Sequence, residues 1–199
     1  MKLDKKVRSG FSLTELLVVI VIIIILAGFT IGALPGIQAR INRAKVEAFL
    51  EEIQSGLSRY QIEYGNYPLS PEGGVTSDDP SYRDSTGILG AAILYKHLSG
   101  DYDEDGIVDE DEVVYVQRLG GKANQDSKDK RVIGVPGADG YMIIDAFNSP
   151  IRYLAEKPNK RDKLTMNPDY DLWSIVDTDP TRVTEEGMSD KYITNWTRN

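Results

Sequence analysis

The chain of 199 residues has no cysteine, one histidine and two tryptophans. Without thiols there is no cysteine nucleophile, no thiolate metal site and no disulfide, and the redox compartment is left open. A single imidazole, His97, cannot build a multi-histidine metal centre. It stands beside Leu98 on a short helical stretch, reads as a partly exposed surface side chain, and has no nucleophile motif with it. An enzyme is therefore not expected. A basic surface is lacking as well: 31 acids against 23 bases give a formal charge of −8. So acidic a chain without a basic patch is a poor binder of phosphate backbones, and no nucleic-acid partner is expected. No internal repeat is evident.

What is present is concentrated at the front. A basic leader, residues 1–10 with Lys2, Lys5, Lys6 and Arg8, runs into Phe11-Ser-Leu-Thr-Glu15 and then an apolar run from Leu16 to Leu34. A secretory signal peptide places its small residues and its cut after the apolar stretch. Here the small residue before a plausible cut, Gly10, precedes that stretch, so cutting there keeps the apolar segment on the mature chain. Phe11 to Leu34 would span roughly 36 Å as a helix, enough to cross a ~30 Å hydrocarbon core with tilt. The leader charges place the N-terminus in the cytoplasm. Removing the leader takes four bases and one acid away and shifts the formal charge from −8 to −11.

Glu15 at the head of the run is unexplained by an ordinary signal anchor, because a carboxylate near a membrane end is costly and needs a partner. The candidate is the α-amino group of Phe11 on a neighbouring copy, which exists only after cleavage; the same pair within one helix is the competing reading. Gly28, Gly32 and Gly36 recur at four-residue spacing, which allows close backbone approach in lipid but also loosens the helix. A kink is expected at Pro35-Gly36.

Gly10, Phe11, Glu15 and the apolar residues after them resemble the prepilin signal of the type IV pilin and type II secretion pseudopilin superfamily. The resemblance implies cleavage between Gly10 and Phe11 by a membrane prepilin peptidase, N-methylation of Phe11, and assembly with identical subunits into a helical filament, Glu15 serving that assembly. It also implies an α+β, pilin-like fold: a long N-terminal helix, half transmembrane and half amphipathic, packed on a small antiparallel sheet with long loops. Three regions are expected: the cleaved leader (1–10), a transmembrane and filament-core helix (11–36), and a periplasmic globular domain (37–199) with an insertion at 69–140.

Val46, Phe49, Leu50, Ile53, Leu57, Tyr60 and Tyr64 recur at helical spacing, so the helix is expected to continue to about Glu63 and end at Gly65-Asn-Tyr-Pro68. Leu69 to Gly87 and Gly120 to Gly140 read as turn-rich loops. A short helix is expected over Ile88–Leu98, with Ile93, Leu94 and Leu98 inward. Residues 141–145, 151–155 and 171–176 read as strands.

Two loops suit a calcium ion. Asp101, Asp103, Asp105 and Asp109 fall at positions 1, 3, 5 and 9 of an EF-hand pattern. Gly106 takes the turn position, Ile107 offers a carbonyl at 7, and Glu112 sits at 12 for bidentate ligation. The bland alternative is a solvated acidic run. An unpaired loop of this kind belongs to the weak class of sites, roughly 10⁻⁴–10⁻³ M. In the C-terminal third, Asp145-Ala-Phe-Asn-Ser-Pro150 and the stretch from Tyr170 to Trp196 resemble the major pseudopilin of type II secretion systems. Its C-terminal loop holds a structural calcium ion. Carried over by residue, the Leu172 carbonyl, Ser174, Asp177 or Asp179, and Asp190 are the matching ligands, although the stretch after Ser174 departs from the family's Gly-x-Asp-Gly. The alternative is a hydrogen-bonded loop with Trp173 and Trp196 in the core.

The leading expectation is a structural subunit of a type II secretion pseudopilus, single-pass in the inner membrane with its C-terminal domain periplasmic. Its partners would be membrane lipid, the prepilin peptidase, minor pseudopilins and the secretion assembly platform. A type IV pilus subunit used in adhesion, motility or DNA uptake is the alternative, and a membrane-anchored calcium-binding module a further one.

Overall fold

The computed structural model describes residues 12–70, 87–108, 111–120, 130–155, 165–176 and 192–195, except the side chains of 29–35. Helix α1 runs over Leu13–Tyr64, unbroken through Pro35 and Gly36. Two compact units divide the chain, residues 1–41 and 42–199. The first is helical, and its large apolar side chains from Leu13 to Leu26 are exposed, from 46% at Val19 to 79% at Leu13. Among the described residues no helix is long and apolar enough to cross a membrane. The crossing expected over 11–36 includes Phe11 and the side chains of 29–35, which lie outside that description.

In the second unit the amphipathic stripe becomes the floor of the core. Val46, Phe49, Leu50, Ile53, Leu57 and Tyr60 are all buried. Gly56 lies in the same half of the helix, where a Cβ would stand 2.5 Å from the Val116 side chain, so only glycine permits that approach. Gly65 ends α1 with φ 77°, its amide donating a hydrogen bond to the Gln61 carbonyl at 2.8 Å, the left-handed stop that glycine takes without strain. Tyr64, the last residue at that helical spacing, is about half exposed. It lies at the helix end, beyond the buried stripe, and its ring stacks on Tyr60 at 4.4 Å.

Helix α2 spans Ile88–Leu98, the expected bounds, with Leu94, Tyr95 and Leu98 buried and Ile93 half-buried. It lies close on the sheet at Gly90, where a Cβ would come within 2.7 Å of the Tyr153 backbone. Strands β1 (Val132–Gly134) and β2 (Tyr141–Ile143) form an antiparallel pair, Ile133 opposite Met142. Strands β3 (Arg152–Ala155), β4 (Tyr170–Ser174) and β5 (Ile193–Thr194) form a second antiparallel sheet in that order. Strand β1 lies within the stretch expected to be all loop, and β5 was not anticipated. A bridge between Ile144 and Pro150 joins the end of β2 to the approach to β3.

Both faces of the β3–β4 pair are covered. Tyr153, Ala155, Tyr170 and Leu172 belong to the main core, while Leu154 and Trp173 join Ile175 and Tyr192 in a second buried cluster. Every residue of the two strands is accordingly buried, so the alternation that usually marks a half-exposed strand is missing. The free edge of β3 is taken by Ser70, whose amide and hydroxyl bond Ala155 at 3.1 and 3.0 Å. Trp196 lies outside the described residues.

Candidate functional site

Alpha2 delivers the acidic loop. After Leu98, Gly100 takes φ 79° and Asp101 is fully buried, its amide donating to the Ser99 hydroxyl at 3.1 Å. The Asp101 carboxylate then organises the loop. One oxygen accepts the Asp105 amide at 3.0 Å, and the other accepts the Gly106 amide at 2.9 Å and the Tyr95 hydroxyl. Asp105 in turn accepts the Ile107 amide at 2.8 Å. Carboxylate oxygens of Asp101, Asp103 and Asp105 are thereby held within 4.8 Å of one another, Asp103 and Asp105 exposed to solvent. Gly106 has φ 88°, and a Cβ there would meet the Tyr141 hydroxyl at 2.7 Å, so both backbone and space demand glycine. Glu104 points elsewhere, to Lys96 at 3.3 Å.

Hard oxygen donors at this separation suit calcium. Glu112, expected as the bidentate ligand, is half-buried and has one carboxylate oxygen shielded from solvent with no hydrogen-bond partner. An orphaned buried carboxylate oxygen is costly, and a cation is the kind of group that would relieve it. Asp109 lies outside the described residues. The ordered exit segment is irregular: Val113 is exposed, Tyr115 and Val116 are buried, and a 3₁₀ turn follows over Gln117–Leu119. A helix enters this loop, and among the described residues no α-helix leaves it.

The C-terminal set is arranged otherwise. The Leu172 carbonyl accepts the Asn195 amide at 3.0 Å. The Ser174 hydroxyl donates to Asp145 at 2.5 Å and accepts the Val176 amide at 3.1 Å. Asp177, Asp179 and Asp190 lie outside the described residues, as do Gly10 and Phe11. Asp145 is itself buried, and its second oxygen accepts the Phe147 and Ser149 amides at 2.8 and 2.9 Å. Burial pushes the Asp145 carboxyl up, opposed by these bonds, Ser174 first, and by the positive Arg131.

Sequence reasoning missed the two groups that anchor these loops. Tyr95 lies on the inward face of α2, and burial followed by its bond to Asp101 pushes its hydroxyl far above the usual range. Asp145 opens an Asp-x-x-x-Ser turn, a local pattern that could have marked it as a backbone acceptor. His97 is half-buried, not simply a surface group: its ring is 3.3 Å from the Tyr60 hydroxyl, and burial, then Lys96, lowers its pKa.

Glu15 lies in the first turn of α1, and its carboxylate accepts the Ser12 amide at 2.9 Å. That turn belongs to the segment matched by the family described as the prokaryotic N-terminal methylation motif, residues 5–31. The N-terminal segment is thus similar to those that carry this methylation motif. Relatives named type II secretion system core protein G are 35% identical over 66 residues in Klebsiella michiganensis and 31% identical over 71 residues in Aeromonas hydrophila. These alignments cover 33% and 36% of this chain and 46% and 50% of the relatives. The chain thus spans about half the length of the curated relatives it matches. No solved structure matches.

Proposed function

We propose that this chain is a structural, non-enzymatic subunit of a type II secretion pseudopilus, cut between Gly10 and Phe11 and N-methylated on Phe11. It would be held in the inner membrane by residues 11–36 and polymerise with its own copies to drive protein export. The observation carrying this reading is the methylation motif at residues 5–31, joined to 31–35% identity with core protein G over the matched third of the chain. Glu15 and the exposed apolar residues behind it supply what a helix needs to leave lipid for the centre of a filament. The prepilin peptidase, minor pseudopilins and the assembly platform are the partners this role requires.

Mass spectrometry of the membrane-extracted protein is the test. The expected chain begins at N-methyl-Phe11; one retaining Met1, or beginning beyond Leu34, refutes the reading. Deleting the gene should in addition leave exported proteins in the periplasm.

Calcium belongs to the same proposal as a structural ion. Asp101, Asp103 and Asp105, with Ile107, Asp109 and Glu112, would hold it; the convergence of the first three and the orphaned Glu112 oxygen support this. When bound, the ion screens the clustered carboxylates. The residues do the rest: Asp101 fixes the loop to α2 through Tyr95, and Gly106 lets it turn beneath Tyr141. Leu172, Ser174, Asp177, Asp179 and Asp190 form the competing site.

A further inference from the structure

Helix α1 begins at Leu13, and an α-helix leaves its first amides without partners inside the helix. In a lipid setting each such amide costs several kcal/mol when nothing accepts from it. Ser12 is the residue where a side-chain cap is expected, but its hydroxyl shares a 2.7 Å hydrogen bond with the Thr14 hydroxyl. The Glu15 carboxylate reaches back to the Ser12 amide at 2.9 Å, the glutamate arm of a capping box, while the Leu16 amide closes the first turn on the Ser12 carbonyl at 3.2 Å.

We propose that Glu15 is the positioning residue that sets where α1 starts, a role separate from its charge. The carboxylate at the head of the apolar run then has a partner within its own chain, which accounts for its tolerance there without a second copy. Geometry and charge make different demands. A capping-box acceptor can be Glu or Gln, because only an oxygen aimed at the Ser12 amide is needed. Docking on the Phe11 amine of a neighbour needs the negative charge. That second role rests on the assembly reading above; the cap does not.

The helix begins two residues downstream of the Phe11 that the proposed cut would expose. Moving that start would alter how the processed end is presented. Glu15 thus acts through Ser12 and the helix start rather than by touching a reacting bond.

The experiment is residue-resolved amide exchange by NMR on the full-length chain in detergent micelles, beside cross-linking of the same variants in membranes. Glu15→Ala should exchange the Ser12 amide about five-fold faster, the loss of one cap. Glu15→Gln should stay within about two-fold of the parent, the conservative variant rescuing the cap. Both variants should cross-link poorly. Unchanged Ser12 exchange in Glu15→Ala overturns the proposal, as does equal acceleration in Glu15→Gln and Glu15→Ala. Cross-linking of Glu15→Ala at the parent level instead refutes the role of the charge in assembly. The exchange data decide the cap in either case.

Discussion

The Asp101 loop and the Ser174 loop are each organised by a buried aspartate that accepts two backbone amides and one hydroxyl, yet they differ in what lies around that aspartate. In the first, a buried aspartate gathers the backbone amides of Asp105 and Gly106, and two more carboxylates close in with their outer sides in water. In the second, a buried aspartate takes the serine hydroxyl itself, and the Leu172 carbonyl is matched to Asn195. The Tyr95 hydroxyl that Asp101 takes is no candidate ligand, so the neighbouring carboxylates stay available to a cation. The Ser174 hydroxyl that Asp145 takes is a candidate ligand, and that bond builds a staple instead. The two aspartates have similar burial and similar bonds but different consequences.

The largest test of this contrast is Asp145→Ala. It strands two amides and a hydroxyl in the interior, so the domain should lose about 3–5 kcal/mol of stability in denaturant titration, whatever the calcium concentration. Asp145→Asn, which retains an acceptor, should lose clearly less. A loss below about 1 kcal/mol for Asp145→Ala would remove the staple from the account.

Next in size is calcium. A ligand that binds only the folded state adds about 1.4 kcal/mol at ten times its Kd, read as a rise in Tm on replacing chelator by millimolar calcium. Asp101→Ala with Glu112→Gln should abolish that rise. Because Asp101 also holds the loop together, Asp103→Asn, at an exposed position, gives the cleaner measure. If Asp190→Ala alone abolishes the rise, the C-terminal loop is the site. Magnesium should help much less, since it requires a strict octahedron and keeps its water.

The smallest effect concerns pH. Burial lowers the His97 pKa in the folded chain below its unfolded value near 6.5. The unfolded chain therefore binds the proton first, and stability present above pH 6.5 is lost as pH falls through the folded value. Comparing Tm at pH 7.5 and 5.5 for the parent and His97→Gln isolates this part. Parallel curves would mean that the imidazole makes no difference.

Much of the fold was legible because long periodic segments announce themselves. The buried stripe from Val46 to Tyr60, the Gly65 stop and the bounds of α2 follow from helical spacing and glycine chemistry. Strands β1 and β5, three and two residues long, are too short to show a period, and β1 is flanked by turn residues that argue for loop. Tyr64 shares that spacing yet is half exposed, because periodicity predicts a face but not where the opposing surface ends. At the acidic loop the motif named the three carboxylates that converge. It could not name Tyr95, whose contact depends on how α2 lies against the loop, or the bond between Ser174 and Asp145, made across 29 residues.

The β3–β4 pair, closed over on both sides, has a consequence for how this chain can drift. A half-exposed strand offers every second position to neutral substitution. Here Arg152–Ala155 and Tyr170–Ser174 offer none, and even their polar members Arg152, Asp171 and Ser174 are buried. A saturation scan across these two strands should therefore give an unbroken run of intolerant positions, with no two-residue rhythm. Variation among related chains must collect in the connecting segments, which are free to acquire new loops while the sheet beneath them holds still.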